Sequence, residues 1–196
     1  KHSRFSGTSV PRDFVEAPSQ MLENWVWDKK QLDGFAADYR DSSKKIPSAI
    51  LDQLKAARLA TIGTFYRRQL SFGILDLELH SQSTLDGSLD VIQTSNQILS
   101  DVFLPVPEDT TFATYFGHLT GYDAGYYGYA WADAIAADMA TVFEGSELKY
   151  NDKEAAKRLR ESIYAPGGSR NANDLILEFL GRERSLAPFL KSIGIE

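Results

Sequence analysis

The sequence lacks cysteine, has only three histidines and contains no long apolar run, and each shortage excludes a class of protein or site. Without cysteine the chain can form no disulfide framework, thiol nucleophile or thiolate metal site. The histidines, His2, His80 and His118, are far apart, and no two have the i, i+4 spacing of a metal-binding pair. No apolar run approaches the ~20 residues that cross a membrane. A metal or acid–base centre built from this chain alone would be poorly supplied.

The charge balance also argues against a nucleic-acid partner. The chain has 21 Lys and Arg against 27 Asp and Glu, a net charge of −6, whereas neutralising phosphates requires a surplus of basic residues. Its 196 residues are enough for one domain with a substantial core. The loop-like stretch 1–12 runs directly into a dense motif, so we expect the chain to be a fragment of a longer protein.

Helical periodicity dominates the sequence and predicts an all-α fold. The longest helical pattern, 48–80, predicts two helices, with Gly63 or Gly73 between them, and the Ala-rich run 129–143 predicts a strong helix. Ser83 to Asp86 is a plausible capping region. Further helices are predicted at about 13–27, 31–40, 88–101, 153–164, 173–180 and 185–193. Strand signals are scarce, so we predict a single helical domain over 1–196, with irregular loops at about 1–12 and 103–128.

One candidate site lies in the stretch 13–25. Glu16, Ser19, Gln20 and Glu23 have the i, i+3, i+4, i+7 spacing that places side chains on one helical face. Two carboxylates with polar neighbours could bind a metal ion. The spacing alone is more typical of a solvated polar face opposite an apolar one, and that interpretation stays open.

The second candidate site is the segment 116–129, which is rich in glycine and tyrosine. Four tyrosines fall within the eight positions 122–129, with Gly121 before them and Gly125 and Gly128 between them. Phenolic hydroxyls on a loop can donate hydrogen bonds to a developing oxyanion. The alternative is an aromatic core segment in which glycine permits close packing. His118 by itself is more typical of a structural histidine than of a ligand.

These two stretches, with several shorter motifs, closely resemble the zinc oligopeptidases of the thimet oligopeptidase, neurolysin and saccharolysin family. The resemblance covers nearly the whole chain and looks most like a fungal saccharolysin-type member. The motifs are Phe5-Ser6-Gly7-Thr8, 13–25, Phe116-Gly117-His118, 122–129, Trp131-Ala132-Asp133, Ile163-Tyr164-Ala165-Pro166-Gly167 and Phe179-Leu180-Gly181-Arg182.

The resemblance implies a zincin-type fold and a zinc site that is only partly present here. In that family, zinc is held by the two histidines of a His-Glu-x-x-His helix and by a glutamate on a following helix. The matching glutamate is Glu16, whereas this sequence contains no His-Glu-x-x-His segment. A catalytic zinc takes three protein ligands and keeps one position for water. The resemblance therefore implies Zn²⁺ in the intact enzyme, and we expect this fragment alone to bind it weakly or not at all.

The resemblance also assigns roles around the glycine- and tyrosine-rich segment. It implies that Tyr129 and Tyr122 are the catalytic donors to the oxyanion, and that His118 and Tyr126 contact the peptide substrate. The family often has two glycines before the first tyrosine of this segment, whereas this chain has only Gly121. From its place one turn further along the face of Glu16, we expect Glu23 to support that metal ligand.

The function implied by the resemblance is hydrolysis of short peptides by a metalloendopeptidase that uses a metal-activated water, with the isolated fragment inactive. The expected partners are short peptides and the missing N-terminal part of the same protein, with self-association through an exposed cleft face as a further option. No nucleic acid or membrane partner is expected. The expected location is cytoplasmic, with the mitochondrial intermembrane space as an alternative. The rival function is a non-catalytic helical interaction module or a stable proteolytic remnant, favoured by the missing His-Glu-x-x-His.

Overall fold

The computed structural model describes residues 2–81 and 87–195, and these residues form helices and no strand. The helices are α1 (Arg12–Val15), α2 (Ala17–Leu22), α3 (Lys29–Phe35), α4 (Ser48–His80), α5 (Val91–Val102), α6 (His118–Gly121), α7 (Gly128–Glu144), α8 (Lys153–Leu159), α9 (Ala172–Leu180) and α10 (Ala187–Ser192). The predicted all-α class is confirmed, as are the irregular segments near 1–12 and 103–128. The capping region predicted at Ser83 to Asp86 lies outside the described residues. None of the described helices is long and apolar enough to cross a membrane.

The helix predicted over 31–40 ends at Phe35, and two further predicted helix boundaries are wrong for identifiable physical reasons. The stretch 48–80 is one helix of 33 residues, not two. Each internal glycine costs roughly 1 kcal/mol, and the other residues of this long helix stabilise it enough to offset that cost. The predicted helix over 13–27 is divided instead. It breaks at Glu16 between α1 and α2, Pro18 lies in the first turn of α2, and Glu23–Trp27 form a 3₁₀ turn. Proline is tolerated in a first helical turn, where its missing N–H has no partner to lose.

Local sequence signals account for several other helix ends. Asp152 caps α8 by accepting hydrogen bonds from the N–H groups of Glu154 and Ala155, as expected of aspartate at an N-cap. Gly181 ends α9 in the left-handed conformation, with φ of 70°, which glycine adopts without the steric cost of a Cβ. The Ala-rich helix expected over 129–143 is confirmed as α7.

The chain divides into two compact units, each with its own apolar cluster. Unit 1 comprises residues 1–60 and 132–196. In its core, Phe143, Phe179, Met21 and Met139 are completely buried, and the ring of Trp25 packs edge-on against Phe143 with centroids 4.9 Å apart. Buried aromatic and sulfur-containing side chains of this size supply much of a small core's hydrophobic stabilisation.

Unit 2 comprises residues 61–131 and has a smaller, aromatic cluster. Phe72 of α4, Leu99 of α5 and Tyr126 are buried in it. Phe72 stacks on Phe112, with ring centroids 4.8 Å apart and planes 14° apart. Half-buried Phe116 joins the same cluster. The aromatic cluster therefore includes part of the glycine- and tyrosine-rich segment. The single domain expected over residues 1–196 stays a prediction.

Candidate functional site

Glu16 lies at the break between α1 and α2 in unit 1, held by buried residues on either side. Phe14 and Ala17 are both buried, whereas the Glu16 side chain is partly exposed. The Ser19 hydroxyl lies 2.9 Å from both the Glu16 backbone oxygen and Glu16 Oε2, and it donates towards both. The backbone N–H of Gln20 donates to the same backbone oxygen at 2.9 Å. The carboxylate is thus oriented by a hydroxyl and sits on an anchored turn.

Glu23, the other carboxylate of the predicted face, is exposed and begins the 3₁₀ turn that follows α2. Within 2–81 and 87–195, no group of three or more His, Asp or Glu side chains is arranged to hold a metal ion. The chemistry of Glu16, a partly exposed anionic oxygen donor steadied by a hydroxyl, suits one ligand of a zinc site.

Gly167 and Gly168 pack closely against residues 5–9, the segment that precedes Glu16. A Cβ built on Gly168 would lie 1.9 Å from the Ser9 backbone oxygen, and one on Gly167 would lie 2.2 Å from that of Phe5. Gly167 also has φ of 54°. Only glycine permits this approach. The 3₁₀ turn Gly167–Ser169, which we call the Pro166 turn after the residue before it, therefore packs tightly against the stretch 5–9 within unit 1.

In unit 2, the structure brings together all four predicted residues of the glycine- and tyrosine-rich segment. The His118 ring lies 5.8, 5.2 and 5.7 Å from those of Tyr122, Tyr126 and Tyr129, respectively. The Tyr122 and Tyr129 rings are 5.2 Å apart. His118 and Tyr122 lie at either end of the short α6, and Tyr129 lies in the first turn of α7. We name His118, Tyr122, Tyr126 and Tyr129 the ring cluster.

The members of the ring cluster differ in exposure. Tyr126 is buried and its hydroxyl donates to Gln69 Oε1 at 3.0 Å. Burial raises the pKa of Tyr126, and the neighbouring Tyr129 adds to that rise. His118 is exposed, and Tyr122 and Tyr129 are partly exposed. Tyr126 therefore fits the alternative interpretation of this segment as part of an aromatic core. His118, Tyr122 and Tyr129 instead retain exposed surface.

An open cleft of about 550 Å³ runs beside the ring cluster. His118, Tyr122 and Tyr126 line it, together with Arg68 of α4 and the exposed Tyr115. The Arg68 guanidinium lies over the Phe72 ring, 5.2 Å from its centroid. Its aromatic walls, phenolic hydroxyls and cation combine apolar surface with a few polar groups, as is typical of ligand-binding clefts.

The main residue of this site that sequence reasoning missed is Asp76 on α4. Its carboxylate is buried, yet it accepts hydrogen bonds from the backbone N–H groups of Ala124 and Tyr126. Gln69, Gly73 and Asp76 have the i, i+4, i+7 spacing of one helical face. That face carries the polar residues Gln69, Asp76 and His80, but sequence spacing gave no indication of what it would contact.

Comparison with known proteins gives a consistent result over the length of the chain. The family model described as Peptidase family M3 matches residues 1–195. Saccharolysin of Saccharomyces cerevisiae is 41% identical over 202 residues, covering 100% of this chain and 28% of its own length. Thimet-like oligopeptidase of Dictyostelium discoideum is 37% identical, covering 99% of this chain and 29% of its own length. Oligopeptidase A of Escherichia coli is 36% identical, with coverages of 97% and 28%. The chain thus spans less than a third of these relatives.

Proposed function

Because this chain belongs to peptidase family M3, we propose that it is the C-terminal part of a zinc metalloendopeptidase that hydrolyses short peptides. The observation that carries the proposal is the match of the family model to residues 1–195. Since the chain spans less than a third of its relatives, the activity is proposed for the whole protein that contains it. For the 196 residues alone we propose no hydrolysis.

Glu16 is the residue of this chain that would hold zinc in the whole protein. Its partial exposure and the hydrogen bond from Ser19 to Oε2 support this role, because metal-binding side chains are usually oriented by hydrogen-bonding neighbours. The remaining ligands would come from a His-Glu-x-x-His helix elsewhere in the protein. Zinc in such a site lowers the pKa of a water molecule and so provides a nucleophile at neutral pH.

Tyr122 and Tyr129 are the proposed donors to the oxyanion that develops when the peptide carbonyl is attacked. Their rings lie 5.2 Å apart and are partly exposed, which supports a shared task at one substrate position. Preorganised donors aimed at the developing charge are among the largest contributions to catalysis. His118 and Tyr126 would contact the peptide. Since the Tyr126 hydroxyl is engaged by Gln69, its contact would be through the ring.

Glu23 is proposed to support the metal ligand from a place seven positions further along the chain. What supports this is its place on the predicted polar face that also carries Glu16, together with its exposure. In the whole protein, Glu23→Gln should reduce both zinc content and hydrolysis. If both stay at wild-type values, Glu23 has no such role.

The remainder of the same protein is the proposed partner of the apolar side chains that α4 exposes. Leu54, Phe65 and Leu70 each keep about half of their surface accessible, and exposed apolar groups of this size favour association. The same observation favours the second candidate, a non-catalytic interaction module, and predicts self-association of the isolated chain. We propose a cytoplasmic location, with the mitochondrial intermembrane space as the alternative.

The test compares the whole protein with the 196-residue chain on one short, internally quenched peptide. We expect the whole protein to hydrolyse it, to lose that activity with a zinc chelator, and to regain it when zinc is added. The 196-residue chain should be inactive with zinc present. A whole protein that hydrolyses no peptide in the presence of zinc would remove the proposed activity and favour the interaction module.

A further inference from the structure

The buried carboxylate of Asp76 binds the backbone of the glycine- and tyrosine-rich segment through both oxygens. The N–H of Ala124 donates to Oδ1 at 3.0 Å, and the N–H of Tyr126 donates to Oδ2 at 2.9 Å. These bonds join α4 to a turn about fifty positions later in the sequence. Because Asp76 is only 1% exposed, water competes little for the hydrogen bonds of its carboxylate. Hydrogen bonds to a carboxylate are also stronger than those to a neutral acceptor.

Ala124, one of the two donors, has a backbone conformation that needs support. Its φ is 52°, a left-handed value that costs a residue with a Cβ roughly 1–2 kcal/mol. The turn is therefore not the conformation that this alanine prefers by itself. This conformation of the turn satisfies both acceptors of the carboxylate together, and the two bonds can offset that cost.

Three further residues on the same face of α4 complete the contact. Gln69 accepts the hydrogen bond from the Tyr126 hydroxyl. A Cβ on Gly73 would lie 3.6 Å from the Tyr127 Cα, which shows how closely helix and turn approach. His80 Nδ1 lies 2.9 Å from Asp76 Oδ1 and 2.8 Å from the Asp76 backbone oxygen. Since both neighbours of Nδ1 are acceptors, that nitrogen carries a hydrogen.

We propose that Asp76 is a positioning residue for peptide hydrolysis: by fixing the turn at Ala124–Tyr126 it sets the places of the Tyr122 and Tyr129 hydroxyls. This inference rests on the proposed function, in which those tyrosines are the oxyanion donors. The two tyrosines flank the turn on either side, Tyr122 two residues before Ala124 and Tyr129 three residues after Tyr126. A turn that changes conformation would therefore move one donor relative to the other.

The principal test is Asp76→Asn in the whole protein. An amide offers one acceptor in place of two and turns a donor towards a backbone N–H, so one of the two bonds is lost. We expect kcat to fall by about 10²-fold, the effect of displacing a catalytic group by about 1 Å, with KM little changed. Hydrogen exchange measured by mass spectrometry should become faster in peptides covering 122–129. Wild-type kcat in Asp76→Asn would overturn the proposal, and wild-type exchange would show that Asp76 does not fix the turn.

Asp138→Asn is a matched control for the loss of a buried carboxylate. Asp138 is also only 1% exposed and also uses both oxygens, accepting from Arg182 and from the N–H of Ser185 in unit 1. Arg182 and Ser185, like Asp138, belong to unit 1. We expect it to lower the melting temperature while leaving exchange in 122–129 unchanged. If Asp138→Asn speeds that exchange as much as Asp76→Asn does, the effect is general destabilisation and the proposal fails.

Ala124→Pro tests the same bond from the exposed side of the contact. Proline has no N–H to donate and cannot adopt a φ of 52°, while the buried carboxylate stays intact. We expect a loss of kcat comparable to that of Asp76→Asn, so the proposal remains testable even if Asp76→Asn does not fold. Wild-type kcat in Ala124→Pro would overturn it.

Ala124→Gly provides the rescue. Glycine adopts the left-handed conformation without the cost of a Cβ, so Ala124→Gly added to Asp76→Asn should recover part of the lost kcat and part of the slow exchange. No recovery of either would count against a role for Asp76 in holding this turn. If the wild-type protein hydrolyses no peptide, the proposed function fails, while exchange in Asp76→Asn still decides whether Asp76 fixes the segment.

Discussion

The Ser19 hydroxyl lies 2.9 Å from Glu16 Oε2, so the candidate zinc ligand and its supporting group are three residues apart on one turn. The hydroxyl also reaches the Glu16 backbone oxygen. Ser19 therefore contacts both the side chain and the backbone of Glu16. In a metal site built from distant segments, such local support reduces the freedom that a carboxylate ligand must lose when it binds.

Ser19→Ala should therefore weaken zinc binding in the whole protein. Loss of a hydrogen bond that orients a metal ligand typically costs about 10- to 100-fold in metal affinity or activity. Competition with a chelator of known affinity would measure the change. Ser19→Thr keeps the hydroxyl and is the control, expected near wild type. Equal zinc affinity in Ser19→Ala and wild type would show that the bond does not support the ligand.

Tyr129→Phe tests the ring cluster. Removing one donor to the oxyanion should lower kcat by about 10²- to 10³-fold with little change in KM. Tyr127→Phe is the matched control, because Tyr127 is a neighbouring exposed tyrosine outside the ring cluster. Steady-state kinetics of both variants on one short peptide provides the comparison. Unchanged kcat in Tyr129→Phe would remove Tyr129 from the proposed role.

Gly168→Ala tests the packing of the Pro166 turn against the stretch 5–9. Because the added Cβ would lie 1.9 Å from the Ser9 backbone oxygen, the backbone must move, and we expect destabilisation by about 1–3 kcal/mol. Gly34→Ala is the control, since a Cβ there meets nothing within 4 Å and α3 should gain about 0.5–1 kcal/mol. Thermal unfolding of the two variants should shift in opposite directions. A stable Gly168→Ala would contradict the packing described.

Tyr150 gives a prediction about alkaline pH. Burial raises the pKa of Tyr150, and the Glu144 carboxylate that accepts its hydrogen bond at 3.1 Å raises it further. With the folded pKa above the unfolded value of about 10, the stability that Tyr150 contributes is complete below that pH and is lost as pH rises through the folded pKa.

The measurement is phenolate absorbance as a function of pH, in wild type and Tyr150→Phe. The difference between the two curves isolates Tyr150 and should have a midpoint clearly above pH 10 or so. A midpoint at or below the ordinary tyrosine value would contradict the environment described for this side chain.

Much of the architecture was predictable because it is encoded locally. The period of apolar residues gave the helical class, and Asp152 and Gly181 marked helix ends by capping chemistry that depends on a few neighbouring positions. The family membership was predictable because its motifs are long and specific, and it is confirmed by the match to 1–195. The break at Glu16 was missed, because a proline in a first turn is compatible with either one helix or two.

The contacts between distant segments could not be predicted in the same way. The rings of His118 and Tyr129 lie 5.7 Å apart because α6, a turn and the start of α7 fold back on one another, which no single periodicity describes. Asp76 and Ala124 are 48 positions apart, and nothing in the spacing of either residue indicates the other. The roles of Glu16, Glu23 and the ring cluster remain predictions.

Bound zinc in the whole protein, measured in wild type and in Glu16→Gln, tests the central claim most directly. A neutral amide keeps the size of the side chain but is a poor ligand for zinc compared with a carboxylate. The account predicts close to one zinc per wild-type molecule, and far less in Glu16→Gln after dialysis against a mild chelator, with folding unchanged. One tightly held zinc in Glu16→Gln, or none in wild type, would contradict it.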